Sequence, residues 1–274
     1  MPGVCGRFVA VSSPRLLAER FAVDEIGSEI EDDAHYNVAP RAVVKVVRER
    51  SGDHPRRMLS ALRWGLVPSW ADDPKIGDRQ INARAETLAS KPAYRRAFER
   101  RRCIVPADGF YEWEKLEVPG SRRVRRQPWF VHRADGEPLA FAGLWEVWKV
   151  PDGAPPVDGA DADGWLRTCT IVTTTANDRL RPLHDRMPVI LPERAWDTWL
   201  DREVRGTRGL EELLVPATED VLEIHRVGPL VSRADNDGPE LVRPVDGNAA
   251  DAAETDAAEP PVDAPDDPAL RLFS

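Results

Sequence analysis

The fold class follows from residues 103–113, which read Cys103-Ile104-Val105-Pro106-Ala107-Asp108-Gly109-Phe110-Tyr111-Glu112-Trp113. This stretch holds two strand-like runs, residues 103–107 and 110–113, with no helical segment between them. Further strand-like runs are residues 43–47, 58–67, 129–132, 139–147 and 168–174. Helix signals are fewer, and they lie at Ser13-Pro14, near Pro92, at Pro192 and at Thr207. Because strands rarely alternate with helices, the sequence predicts an α+β fold with mostly antiparallel strands.

Composition limits the class of protein. The chain has 274 residues, 42% hydrophobic and 31% charged, which is enough for one sizeable core with appendages. It has no apolar run long enough to span a bilayer, and its first residues lack the pattern of a secretory signal. Three cysteines, Cys5, Cys103 and Cys169, are too few for a disulfide framework. We therefore expect a soluble protein of a reducing compartment, and we also expect a cytoplasmic monomer.

Charge is distributed unevenly along the chain. The formal net charge is −9, and residues 246–274 contribute eight acidic residues against one arginine. Residues 91–126 instead hold eleven basic and five acidic residues, a local excess that can bind a polyanion. The acidic tail, rich in alanine and proline, cannot bury enough apolar surface to offset its ordering entropy and is predicted to be disordered. Residues 151–164 are predicted to form a surface loop.

Four sequence clusters stand out as carriers of chemistry. They are Cys5-Gly6-Arg7-Phe8, Ile81-Asn82-Ala83-Arg84-Ala85-Glu86-Thr87, Ala107-Asp108-Gly109-Phe110-Tyr111-Glu112-Trp113 and Leu183-His184-Asp185-Arg186-Met187-Pro188. Two further segments are Tyr36-Asn37-Val38-Ala39-Pro40 and Trp64-Gly65-Leu66-Val67-Pro68-Ser69-Trp70. Together, from Cys5 to about Val245, they resemble the SRAP (SOS response-associated peptidase) family.

The resemblance implies a single α+β domain over residues 5–245, with a curved, barrel-like, mostly antiparallel sheet, peripheral helices and no metal or cofactor. It also implies recognition of abasic sites in single-stranded DNA, a covalent DNA–protein crosslink that protects the lesion at replication forks, and associated lyase-type chemistry.

The proposed nucleophile is Cys5. An abasic deoxyribose opens to an aldehyde, and an N-terminal cysteine presents an amine and a thiol that close a thiazolidine ring on it. The α-amine titrates at about pH 7.7–8.0, so a substantial fraction is neutral near physiological pH. An internal cysteine cannot react in this way because its nitrogen is an amide.

The remaining roles are carried over from the resemblance. Glu112 is expected to be the general acid and base, because an aromatic setting raises a carboxyl pKa. His184 would donate to the sugar oxygen, Asn82 would hydrogen-bond the amine or sugar hydroxyl, and Thr173 would line the same pocket. The expected DNA contacts are Arg7, Arg84, Asn37 and Pro40, with Trp64, Pro68 and Trp70 as a wedge against the bases. Cys103 and Cys169, which lack a Cys-x-x-Cys partner for zinc, are expected to be inert core residues.

The amino terminus departs from the family pattern, in which the cysteine follows the initiator methionine. Here residues 1–4 precede Cys5. Three explanations stay open: a start codon that truly lies at Val4, removal of four residues by proteolysis, or a protein that binds abasic DNA without forming a thiazolidine.

The tail ends in Ala269-Leu270-Arg271-Leu272-Phe273, which resembles the peptide by which bacterial proteins bind the sliding clamp. Leu270, Leu272 and Phe273 are the expected anchors.

Two other functions compete with the crosslinker. An N-terminal-nucleophile hydrolase, a glutaminase or peptidase, also begins with Cys-Gly and uses its free amine as a base. A non-covalent single-strand binder is favoured if Cys5 stays internal.

Overall fold

The computed structural model describes residues 5–50, 55–117, 124–204 and 207–245. The predictions for residues 1–4, for the tail 246–274 and for its anchors Leu270, Leu272 and Phe273 lie outside the described residues.

Strands dominate the described chain. They are β1 (Phe8–Ala10), β2 (Glu25–Ile26), β3 (His35–Val38), β4 (Val43–Arg50), β5 (Arg56–Trp64), β6 (Asn82–Arg84), β7 (Arg102–Ala107), β8 (Gly109–Glu117), β9 (Val124–Arg133), β10 (Leu139–Lys149), β11 (Trp165–Thr175), β12 (Arg186–Pro188) and β13 (Leu222–Arg226). The helices are α1 (Pro14–Arg20), α2 (Pro92–Arg100), α3 (Trp196–Leu200) and α4 (Thr207–Glu211). Short 3₁₀ turns join several of them, among them Ala85–Thr87 and Pro229–Ser232.

A closed five-stranded barrel forms the centre of the fold. Neighbouring strands run in the order β5, β4, β7, β10 and β11, and β11 pairs back onto β5. The first four joins are antiparallel. The closing join is parallel and has two register pairs, Thr168 with Arg63 and Cys169 with Trp64. The predicted α+β class with a barrel-like, mostly antiparallel sheet is therefore confirmed.

A second antiparallel sheet packs against the barrel, with strand order β13, β9, β8, β1 and β3. Phe8 of β1 joins the two sheets, because its ring lies 5.2 Å from that of Trp64 and 6.4 Å from that of Phe141. One core cluster thus runs through both sheets. The two sheets form one domain, and this packing places Cys5, just before β1, in the core that they share.

Helices cover the outside, where the sequence signals placed them. Ser13 caps α1 by accepting a hydrogen bond from the Leu16 amide at 3.3 Å, and Pro92 is the first residue of α2. The buried Arg102 fastens α2 to α3, because its guanidinium donates to Phe98 O at 2.7 Å and to Trp199 O at 2.6 Å. Burial lowers the pKa of Arg102 to about 10.

The strand boundaries differ from prediction at two informative places. The run at residues 58–67 ends as a strand at Trp64, because Gly65 adopts φ +127° and packs against the backbone of Gly77. The run at residues 110–113 is the first half of β8, which continues through alternating charged residues to Glu117 as one arm of a hairpin with β9. In the described ranges, the helices are too short and too polar to cross a bilayer.

Candidate active site

The centre of the site is a contact between Cys5 and Glu112. The Cys5 backbone nitrogen donates a hydrogen bond to Glu112 Oε1 at 2.7 Å, and both residues are buried. Antiparallel pairing of β1 with β8, with Phe8 opposite Phe110, holds the segment before β1 against the strand that carries Glu112. A carboxyl group is thus positioned at the nitrogen that would be the α-amine if Cys5 were the first residue.

Cys5 has an unusual backbone conformation. Its φ is +48°, in the left-handed region that side chains other than glycine and asparagine rarely adopt. Such a residue costs of order 1–3 kcal/mol and persists only where its surroundings enforce it. Here the hydrogen bond to Glu112 and the packing of Phe8 are the contacts that hold it.

The buried setting changes the acid–base properties of both groups. Burial, with a smaller contribution from the Asp185 charge, raises the pKa of Glu112 to about 8. Burial also raises the pKa of the Cys5 thiol, and the neighbouring Glu112 adds to that shift. Glu112 is therefore largely protonated at neutral pH, as a general acid requires.

His184 lies in the turn between β11 and β12. Its Nδ1 accepts a hydrogen bond from the Arg186 amide at 3.0 Å, and Asp185 Oδ1 lies 2.9 Å from the same atom. The amide is fixed by the backbone, whereas the Asp185 side chain is 87% exposed, so the amide decides the tautomer. Burial lowers the pKa of His184. A neutral ring with its proton on Nε2 follows, and that proton is free to be donated.

Asn82 and Thr173 lie on paired strands. Strand β6 runs parallel to β11, with Asn82 opposite Ile171 and Arg84 opposite Thr173. Ile171 belongs to the same core cluster as Cys5. Thr173 is buried, and Arg84 is exposed beside it. The structure thus brings two of the sequence clusters, residues 81–87 and 183–188, to the end of β11 that carries Thr173.

The Arg7 side chain is held in place by Asn37, which was itself expected to contact DNA. Its Nη1 donates to Asn37 Oδ1 at 2.8 Å and to Val231 O at 3.2 Å. The buried Asn37 also donates from Nδ2 to the backbone carbonyls of Val231, Arg233 and Asn236. All polar atoms of the Asn37 side chain are used within the protein. Its prediction as a direct DNA contact is therefore corrected to a role in holding Arg7.

The predicted wedge divides into core and surface residues. Trp64 is fully buried and its Nε1 donates to Ile81 O at 2.8 Å, and Pro68 is buried as well. These two predictions are corrected, because neither side chain can reach a base without opening the core. Trp70 is 59% exposed, and Pro40 is half-buried. Trp70 remains available for stacking.

Sequence reasoning missed two groups that support the site. Asp108 accepts hydrogen bonds from the Val11 and Ser12 amides at 2.6 and 2.9 Å, which fixes the chain after β1. Arg186 contacts Glu86 and Thr173. Both lie inside the quoted clusters, and a charged residue beside each candidate catalytic residue was the available signal.

Cys103 and Cys169 are buried in the barrel, and burial raises the pKa of both thiols. In the ranges that the structure describes, no group of three or more His, Cys, Asp and Glu residues could hold a metal ion.

Fold and site together define an α+β barrel protein with a buried cysteine–carboxylate pair and a half-buried histidine in the turn after β11. The family model for SRAP, described as SOS response associated peptidase, matches residues 4–234. The chain therefore belongs to the SRAP family.

The bacterial relatives are matched over almost their whole length, and the chicken relative over about two thirds of its length. The chain is 39% identical over 240 residues to the abasic site processing protein YoqW of Bacillus subtilis, spanning 87% of this chain and 99% of that one. It is 35% identical over 251 residues to the abasic site processing protein YedK of Escherichia coli, spanning 88% and 100%. The chicken relative HMCES, also named an abasic site processing protein, is 33% identical over 239 residues, spanning 77% of this chain and 66% of that one.

Solved structures agree on the fold. A protein from Bacteroides thetaiotaomicron superposes with a TM-score of 0.72 at 20% identity, covering 88% of this chain and all of that one. A protein from Bordetella bronchiseptica gives a TM-score of 0.62 at 26% identity, covering 81% and 99%.

Proposed function

We propose that this protein processes abasic sites in single-stranded DNA by forming a covalent thiazolidine with Cys5 once its α-amine is free. The observation that carries the proposal is the 2.7 Å hydrogen bond from the Cys5 nitrogen to the buried Glu112 carboxyl. The names of the relatives, which span nearly the whole domain, support the same class of substrate.

The chemistry needs one acid–base group at the nitrogen. The neutral α-amine adds to the sugar aldehyde to give a carbinolamine. A proton from Glu112 lets the hydroxyl leave as water, and the iminium that forms returns its N–H proton to the Glu112 carboxylate to give the imine. The Cys5 thiol then adds across the carbon–nitrogen double bond, so a carbon–sulfur bond forms and the sulfur proton ends on nitrogen. A carboxyl with a pKa of about 8 can both give and take protons near neutral pH.

His184 has the properties needed for the step before this one. The closed sugar must open to an aldehyde: the C1 hydroxyl gives its proton to water, the bond from C1 to the ring oxygen breaks, and the ring oxygen takes a proton from water. A neutral Nε2–H can donate a hydrogen bond to that oxygen as the bond breaks. Asn82 and Thr173 lie at the same end of β11 and are suited to hold the sugar. Exposed Arg84 and half-buried Arg7 would contact the phosphates, and Trp70 would stack beside the lesion.

The left-handed backbone at Cys5 favours a form in which Cys5 comes first. The torsion φ is defined by the carbonyl carbon of the preceding residue, so an N-terminal residue has no such torsion and avoids its cost. The amine would also gain donors for Glu112 that an amide lacks. A start at Val4 read as methionine, or proteolytic removal of residues 1–4, would produce this form.

The test compares the protein beginning at Cys5 with the form of residues 1–274. Each is incubated with single-stranded DNA holding one abasic site, and intact mass is measured. We expect an adduct with loss of one water only when Cys5 is first. The control Cys5→Ser in the trimmed form keeps the amine but cannot close the thiazolidine. A tetrahydrofuran site, which cannot open to an aldehyde, should give no adduct.

Three other results would overturn the proposal. Adducts with neither form, together with retained DNA binding, would indicate a non-covalent single-strand binder. Turnover of glutamine or a peptide without a DNA adduct would indicate a thiol hydrolase. An adduct of equal yield and stability with Cys5→Ser would mean that the thiol is not needed and that no thiazolidine forms.

A further inference from the structure

We propose that Arg186 is a positioning residue for this site, holding together the three chain segments that carry Asn82, Thr173 and His184. The proposal rests on the proposed function, because the reaction it would support is the crosslink described above. We call Arg186, Glu86 and Thr173 the Arg186 network.

The first contact of the network is a two-pronged ion pair. Arg186 Nη1 donates to Glu86 Oε1 at 2.5 Å, and Nη2 donates to Glu86 Oε2 at 3.0 Å. Paired, parallel hydrogen bonds of this kind fix both distance and orientation. The Arg186 side chain is only 14% exposed, whereas that of Glu86 is 50% exposed. The arginine is therefore the anchored partner, and the glutamate closes over it from the solvent side.

The second contact reaches β11. Arg186 Nη2 also donates to the backbone carbonyl of Thr173 at 2.6 Å. Thr173 lies opposite Arg84 in the parallel β6–β11 pair. Glu86 belongs to the 3₁₀ turn Ala85–Thr87. This turn directly follows strand β6, whose first residue is Asn82. One guanidinium thus joins the end of β6 to the end of β11 at the place where their register ends.

The third contact comes from the backbone of Arg186 itself. Its amide donates to His184 Nδ1 at 3.0 Å and keeps the ring proton on Nε2. If the side chain lost its anchor, the segment between His184 and Arg186 would move, and the amide would no longer point at Nδ1. The position of the side chain therefore determines both where His184 lies and which nitrogen carries its proton.

Electrostatics make the pair persistent across the working pH range. The hydrogen bonds from Arg186 hold the pKa of Glu86 below its ordinary value. Glu86 stays ionised wherever the α-amine is reactive, so the network does not titrate together with the catalytic groups. A change in pH dependence on disrupting it would report on His184 and Glu112, not on Glu86.

Two variants of the network test the proposal. Glu86→Gln keeps the shape of the side chain and removes its charge, and Arg186→Lys keeps the charge and removes the two-pronged geometry. With the trimmed protein at saturating abasic DNA, we expect each to slow crosslinking by about tenfold or more, since small displacements of reacting groups cost up to about 100-fold. Affinity for a tetrahydrofuran-containing oligonucleotide should change less than about threefold, because no phosphate contact is removed.

The deciding readout is the ring of His184. Nitrogen-15 spectra of the histidine side chains should show a single Nε2–H tautomer in the parent protein and a second tautomer in both variants. The pH–rate profile should shift as the His184 pKa moves toward its ordinary value. Glu193→Gln is the matched control, because it breaks another arginine–glutamate pair, that with Arg20 at 2.8 Å, on the far side of α1.

Crosslinking at the parent rate in both variants would overturn the proposal. So would a slower rate with an unchanged His184 tautomer, because the loss would then be structural. If the parent protein forms no adduct at all, the proposed function fails, but the tautomer measurement still decides whether Arg186 positions His184. The two failures are therefore distinguishable.

Discussion

Glu112 places an ionisable group where water barely reaches it, next to the one nitrogen that the proposed chemistry uses. The sequence predicted this, because Glu112 lies between two aromatic residues in a strand-like run. The sequence could not predict that the Trp64 side chain lies in the core. Alternation along a strand places neighbouring side chains on opposite faces, and only closure of the barrel decides which face is inside. Asn37 was misjudged for a related reason, since its three carbonyl partners come from a distant segment, 194 to 199 residues away.

The raised pKa of Glu112 predicts how stability depends on pH in the 1–274 chain. The folded pKa of about 8 lies above the ordinary value, so between the two the folded state holds a proton that the unfolded state has released. Stability from this group is fully present below the ordinary pKa and is lost as pH rises through about 8. We expect Glu112→Gln to lessen the fall in melting temperature between pH 5 and 9.

The control for that measurement lies on the same strand. Glu117→Gln removes an exposed carboxylate of β8 and should leave the pH dependence unchanged. If melting temperature depends on pH in the same way in the parent and in Glu112→Gln, Glu112 is ionised in the folded protein at neutral pH. That result would contradict its role as a proton donor.

The β8–β9 hairpin is the element that carries Glu112 to Cys5. Its apolar first half was predicted from the run at residues 110–113, whereas its charged second half was not, because Glu114, Lys115 and Glu117 do not form a strand-like apolar run. The short strands β1, β3, β6 and β12, of three or four residues, were not predicted either. They are too short to show a periodicity of their own. Strands β1, β6 and β12 pair with the longer strands β8 and β11, and β3 pairs with β1.

Gly109 sets how closely β8 approaches β9. A Cβ at this position would lie 2.4 Å from the ring of Phe130 and 2.7 Å from the Val131 carbonyl oxygen. We expect Gly109→Ala to destabilise the fold by roughly 2–3 kcal/mol, because overpacking forces the ring and the hairpin backbone to move. Denaturant unfolding measures the change. Gly209→Ala in α4, where nothing lies within 4 Å, is the control and should be neutral or stabilising. Equal effects of the two substitutions would contradict the close approach.

Considered as a whole, the molecule is a barrel whose ring of strands does not follow chain order. That most strand pairs are antiparallel could be predicted, because strand-like runs follow one another without crossover helices. Which strands pair could not. The parallel pairing of β5 with β11 was not predictable either, because the two strands are about a hundred residues apart and neither sequence specifies a partner. Sequence resemblance supplied the barrel where local pattern could not.

That closing join has a consequence for how the barrel moves. It has two register pairs, whereas β4 and β5 share eight. Local opening along this line breaks few hydrogen bonds, so its amides should exchange with deuterium sooner than those of the β4–β5 ladder. The Gly65 amide, bonded to Cys169 O at 2.8 Å, is the one to follow. Trp64 of the same join packs on Phe8, three residues after Cys5. A barrel join with two register pairs therefore borders the core around Cys5, the residue that the sugar has to reach.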